Sequence, residues 1–316
     1  MITAVIIAFT LRNDDLTKKS CSLDIFQAYS YFKLLGADIH ILTNITKFSY
    51  PDSVEKLITT SMISKDVYTF ELPQQTSYVS SFEELFKYFL TLNVPDKFII
   101  YYTGHGTLNT LTFPNNDEVN LYDIRRVFFG PLKKISQVSI IMDCCNPNGL
   151  YLPLIIEKGK YKLQDSDRIL PCEHDVFLIA SSRRHGRSIS CEVGSLFTQY
   201  FFNAFRSFIL GNPVCDLTLD GVKDFVDKGI IKKSEAFVIL SNSIILETQS
   251  LTYYSSYFNA PIFPPYLMNI RNIYFDPFTQ VFKLHRSPDA EKEPETTKKI
   301  SSFSAYLLDV DLDEDQ

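Results

Sequence analysis

Apolar residues along the chain follow two periods, short β-type runs and helical stripes, and the two take turns. Residues 1–9 are apolar and β-branched with little polar interruption, as expected of a strand buried on both faces. Polar residues from Leu11 to Lys19 predict a loop. Ile25, Phe26, Tyr29, Phe32 and Leu35 then recur at helical spacing, predicting a helix over 24–35 that Gly36 ends. Residues 37–42 alternate as a strand, with His40 as a structural residue on it, and complete a β-α-β unit with a right-handed crossover. Residues 44–80 carry no usable period. From Ser81 a capping box, Ser81-x-x-Glu84, precedes the stripe Phe82, Leu85, Phe86 and Phe89.

The alternation continues. A turn at 113–117 leads to a helix over 121–129, whose Arg125 and Arg126 are assigned to an exposed face. A strand over 138–142 follows, then a charged connection over 155–174, a strand over 176–180 and a strongly apolar helix over 197–209. Gly211-Asn212-Pro213 breaks that helix, Thr218 caps another to 226, and residues 237–240 and 243–246 read as short strands. Such a pattern predicts an α/β protein with an open parallel sheet, in which ligands bind at one edge, beyond the strand ends.

Two of the strands end in residues able to do chemistry. Tyr101-Tyr102-Thr103 runs into Gly104-His105-Gly106, and Ser139-Ile140-Ile141-Met142 into Asp143-Cys144-Cys145. A histidine after one strand and a cysteine after another can meet without being neighbours in sequence. The meeting matters because the thiolate is the attacking form, and an ordinary thiol is only a few per cent ionised near neutral pH. The flanking glycines let the backbone approach a substrate, and the Gly106 and Cys145 amides are candidate oxyanion donors.

These residues resemble the caspase and metacaspase peptidases. In that family the histidine stands in a Gly-His-Gly or Ser-His-Gly turn and the cysteine ends an Asp-x-Cys or Gln-x-Cys strand. The likeness extends through Gly149-Leu150-Tyr151-Leu152-Pro153, Phe177 to Ser182 and Gly194 to Thr198, over about residues 1–230. It implies a three-layer α/β/α sandwich with a mostly parallel sheet and a cysteine endopeptidase with Cys145 as nucleophile and His105 as acid and base. Limited proteolysis of protein substrates in programmed cell death is the implied role. Asp143 matches the metacaspase acid that pairs with a basic substrate residue. Lys18, Lys19, Arg183 and Arg187 stand where caspases place cations that hold an aspartate. The two sets point to opposite substrates. Asn146-Pro147-Asn148-Gly149 replaces the usual His-Ser-Gly after the nucleophile, which motivates a rival reading as a weakly active homologue that binds and regulates active caspases.

Composition narrows the setting. The 316 residues are 45% hydrophobic with a net charge of −6, enough for a full core and without the basic stripe expected of a nucleic-acid binder. Six cysteines show no CxxC pair and no metal-ligand spacing, so reduced thiols in a cytoplasmic setting fit better than a zinc site or a disulfide framework. The N-terminus lacks the basic n-region of a signal peptide, and no run is long enough to span a membrane. No cofactor is expected; some metacaspases depend on calcium, yet no acidic constellation for it is evident. The family also leaves room for a homodimer. Coding-bias clues resemble caspase-like proteins of large insect DNA viruses. Residues 1–250 are read as the peptidase domain, 251–286 as an aromatic, proline-rich extension and 287–316 as a disordered, acidic tail. Asp165, Asp167 and Arg168 in the charged connection are candidate processing points.

Overall fold

A computed structural model describes residues 2–11, 14–46, 76–92, 97–130, 132, 137–158, 160–164, 169–170, 172, 174–182, 186–191, 194–209, 213–241, 249–256, 273–276 and 281–284. Six strands run parallel: β1 (Ile2–Ala8), β2 (Asp38–Thr43), β3 (Thr76–Tyr78), β4 (Lys97–Thr103), β7 (Gln137–Asp143) and β10 (Asp175–Ala180). Three more, β8 (Leu154–Glu157), β9 (Lys160–Leu163) and β13 (Thr252–Ser255), complete one sheet in the order β3-β2-β1-β4-β7-β10-β13-β8-β9. The last three pair antiparallel in succession, β13 against β10, β8 against β13 and β9 against β8. Short hairpins β5 (Thr110–Thr112) with β6 (Glu118–Asn120), β11 (Ser190–Cys191) with β12 (Gly194–Ser195), and β14 (Ile273–Asp276) with β15 (Val281–Leu284) stand apart.

Helices cover both faces, and the period-two alternation of each strand decides which side chain meets which layer. On β1, Ala4, Ile6 and Ala8 face the layer of α1 (Asp15–Leu34), α4 (Leu196–Ile209) and α5 (Leu219–Ser241). Val5, Ile7 and Phe9 face the layer of α2 (Phe82–Thr91) and α3 (Leu121–Phe129). The same split recurs on β4, with Tyr101 on the first side and Tyr102 on the second. Strands buried on both faces explain the uninterrupted apolar runs of the sequence. The fold is the three-layer α/β/α sandwich with a mostly parallel sheet.

Several local expectations are corrected. Helix α1 begins at Asp15, not at 24, because Asp14 caps it by accepting the Thr17 N–H at 3.0 Å. Lys18 and Lys19 therefore lie on a helix and not in a loop. Arg125 is buried, at 6% exposure, where an exposed face was expected. Part of the charged connection is the β8–β9 hairpin at the sheet edge. The expected strand at 237–240 is the end of α5, and the one at 243–246 lies outside the described residues. Tyr253 and Tyr254, within the stretch read as an aromatic, proline-rich extension, form a buried strand, so the sheet runs past residue 250. The acidic tail lies outside the described residues. His40 is held by Tyr88, with Nδ1 and the phenol oxygen 2.7 Å apart.

Candidate active site

Strands β4 and β7 are parallel neighbours, and their last registered pair is Thr103 opposite Asp143. His105 and Cys145 each lie two residues beyond that pair, so the register alone brings both to the same edge of the sheet. The Gly104 N–H donates to the Asp143 carbonyl at 3.3 Å, carrying the contact one residue past the strands. Gly104 has φ 154°, and a Cβ there would lie 2.9 Å from the Phe9 carbonyl. Gly106 approaches so closely that a Cβ would lie 2.7 Å from the Cys145 carbonyl oxygen. It pairs with Leu111 through the bonds of its neighbours, Thr107 N–H to Thr110 and Thr112 N–H to the His105 carbonyl. In such a position its own N–H is not consumed by the ladder.

The vicinal cysteines have different surroundings. Cys144 is buried, and burial first, then the neighbouring Cys145 and Asp143, hold its thiol well above the ordinary range. Cys145 is half-buried, and its Sγ accepts the Ser188 N–H at 3.3 Å. Ser188 is fixed in turn, because its Oγ donates to Asp143 at 2.6 Å and accepts from Gln249 at 3.3 Å. Asn146 N–H donates to the Gly186 carbonyl, tying the two loops together.

Beneath these tips lies a pair of buried carboxyls. Asp143 accepts from Ser188 Oγ and from Thr198 Oγ1, each at 2.6 Å. Asp24, on α1, accepts from Thr103 Oγ1 at 2.9 Å and from the Ser195 N–H at 2.8 Å. Burial pushes the Asp143 carboxyl up against the downward pull of its hydroxyl donors. Burial pushes the Asp24 carboxyl well up, and the charge of Asp143 adds to it. Among the described residues, no lysine or arginine forms an ion pair with either. Asp143 is thus held by side chains from the loop after β10 and from α4.

The imidazole of His105 meets Asp14, with Nε2 3.3 Å from Oδ2 and 3.4 Å from Thr17 Oγ1. Lys18 and Lys19 follow Thr17 on α1 and are half-buried. Arg187 precedes Ser188 and is exposed, and Arg183 and His185 lie outside the described residues. Sequence reasoning missed Asp14, Asp24, Ser188 and Thr198. Only Asp14 left a signal, the Asp-x-x-Thr start of a helix. Among the described residues, no three His, Cys, Asp or Glu side chains are grouped to hold a metal ion. A cavity of about 720 Å³ on α2 and α3, lined by Phe82, Phe86, Tyr122 and Leu170, contains none of the site residues.

A three-layer sandwich with a histidine and a cysteine at adjoining tips of central parallel strands defines the class of protein. The caspase domain model matches residues 4–234, and the chain belongs to that family, which is one of cysteine peptidases. The crystal structure of caspase-1 from Spodoptera frugiperda is similar at TM-score 0.43 and 14% sequence identity, covering 81% of this chain and 86% of that one. No curated protein matches the sequence. No helix among the described residues is long and apolar enough to cross a membrane.

Proposed function

We propose that this caspase-family protein is an active cysteine endopeptidase with Cys145 as nucleophile and His105 as acid and base. The observation that supports the reading is the β4–β7 register, which carries both residues to the same edge of the sheet, with Gly106 against the Cys145 carbonyl. Cys145 attacks the peptide carbonyl as thiolate, and the Gly106 and Cys145 amides hold the oxyanion. His105 protonates the leaving amine and then activates the water that releases the acyl group. The burial of Cys144 supports its neighbour as the reactive thiol. The role is limited proteolysis of protein substrates in programmed cell death, for which the family is the support.

The side chain preceding the cut is basic in this reading. Two buried carboxyls with no countercharge among the described residues are costly to ionise, and Ser188 joins one of them to the Cys145 sulfur. An ammonium or guanidinium entering beside Ser188 offsets that cost, whereas an aspartate adds to it. In this reading the exposed Arg187 contacts substrate residues farther from the cut.

A mixed peptide library tests both statements. Cys145→Ala lowers kcat/KM by at least about 1,000-fold, Cys144→Ala retains most activity, and cleavage follows Lys or Arg. Loss of activity in both variants alike, or cleavage after Asp, overturns the corresponding statement. Absence of cleavage by a folded parent protein supports the regulatory, binding role instead.

A further inference from the structure

A catalytic imidazole needs its proton on a defined nitrogen, and a group bonded to one ring nitrogen decides what the other can do. On this chain that group comes from the start of α1. Asp14 Oδ1 accepts the Thr17 N–H at 3.0 Å, while Oδ2 accepts the Thr17 hydroxyl at 2.5 Å and faces His105 Nε2 at 3.3 Å. One carboxylate thus caps a helix and touches the candidate acid and base. Both partners are partly open to solvent, His105 at 40% and Asp14 at 32% of their side-chain surface. The contact is therefore directional, not a buried ion pair.

We propose that Asp14 is a positioning residue that fixes the tautomer and ring orientation of His105, making a Cys145–His105–Asp14 relay from what the motifs present as a dyad. This rests on the peptidase reading above. With Nε2–H donated to Asp14, Nδ1 is the nitrogen left for the thiol and the leaving amine. Thr17 keeps the carboxylate in place through two bonds, so the orientation of the ring is inherited from the first turn of α1. Desolvation pushes the Asp14 carboxyl up, but hydrogen bonds from Thr17 and the nearby His105 together outweigh it and hold the carboxyl below its ordinary range, so it stays an acceptor across the neutral region.

Asp14→Asn separates the cap from the relay. Asparagine is as good a helix cap as aspartate, but its amide nitrogen can replace Oδ2 and then donates to Nε2, forcing the proton to Nδ1. The first readout is the ¹⁵N spectrum of the full chain carrying Cys145→Ala, with the His105 signals assigned by their loss in His105→Gln. Neutral His105 is expected as the Nε2–H tautomer, switching to Nδ1–H when Asp14→Asn is added, with Tm within about 2 °C. The second readout uses the Cys145 protein: Asp14→Asn lowers kcat about 10- to 100-fold with KM within about twofold, and Asp14→Glu recovers part of the loss. An unchanged tautomer, or a fall in kcat that merely tracks a fall in Tm, overturns the proposal. The spectra need no turnover, so they decide the role of Asp14 even if the parent protein cleaves nothing and the peptidase reading falls.

Discussion

The two sides of the sheet each bury charge, and they handle it differently. On the α3 side, Arg125 lies beneath the surface with NH1 donating to the Leu150 carbonyl at 2.9 Å and NH2 to the Leu170 carbonyl at 3.2 Å. Its guanidinium also stands 5.2 Å from the centre of the Phe129 ring. Burial lowers its affinity for the proton without removing the charge, since an arginine stays protonated far above neutrality. On the α1 side, Asp24 and Asp143 receive hydroxyl and amide donors but, among the described residues, no ion pair with a lysine or arginine. Its bond to the Leu150 carbonyl makes the first charge a structural pin for the turn that follows β7. The second arrangement has donors enough to persist and no countercharge among the described residues, and Asp143 stands two residues before the candidate nucleophile. In the proposed reading the arginine serves the fold, and the acid pair is where the basic side chain of a substrate enters.

Removing the completed charge has the largest expected effect on stability. Arg125→Met strands two carbonyls in an apolar setting and costs about 2–4 kcal/mol, read as a lower midpoint in urea with the slope unchanged. A loss below about 1 kcal/mol breaks the contrast. The opposite sign is expected across the sheet. Asp24→Asn keeps the shape and the donors, removes the charge, and stabilises the protein at pH 7 by about 1 kcal/mol while lowering cleavage after Lys or Arg at least about tenfold. Destabilisation with activity intact makes Asp24 an ordinary core residue.

The pH dependence of stability sharpens the same comparison with a smaller effect. The Asp24 and Asp143 carboxyls are raised in the folded state. The stability they contribute is therefore complete below the unfolded value, about 3.9, and is lost as pH rises through their folded values. Asp14 and Glu84 are lowered, so theirs is present above the ordinary carboxyl range and lost as pH falls through the folded values. Urea unfolding from pH 7 downward should show stability rising first and falling afterwards, and Asp24→Asn should flatten the rise. A monotonic fall in the parent protein contradicts the assigned directions.

The contrast also explains what could be read without coordinates. Strands β4 and β7 announced themselves because both faces are buried, and the residues at their tips stood out as soon as the apolar runs stopped. The amphipathic α2 was equally plain, with a capping box in which the Ser81 Oγ accepts the Glu84 N–H and Glu84 reaches back to Ser80. Helix α1 was half hidden, because the half beneath the site buries Ser20, Ser22, Asp24 and Gln27, polar residues that erase a hydrophobic period. Arg125 was misplaced for the converse reason, since an arginine is rarely buried and the carbonyls that receive it here are distant in sequence. The pairing of Tyr253 with Ile156 and of Tyr254 with Leu178 is likewise set by residues far along the chain, and no local pattern reveals it. The acid pair could not be found from spacing, because Asp24 and Asp143 meet only through the stacking of α1 on the sheet.

The placement of β13 has a consequence for a chain severed between β9 and β10. Strands β7 and β8 would belong to one fragment, β10 and β13 to the other, yet β10 lies on β7 and β13 on β8. Each piece grips the other along two separate seams, like interlaced fingers. Such a nicked molecule would migrate as two bands in denaturant and travel as one body in native buffer.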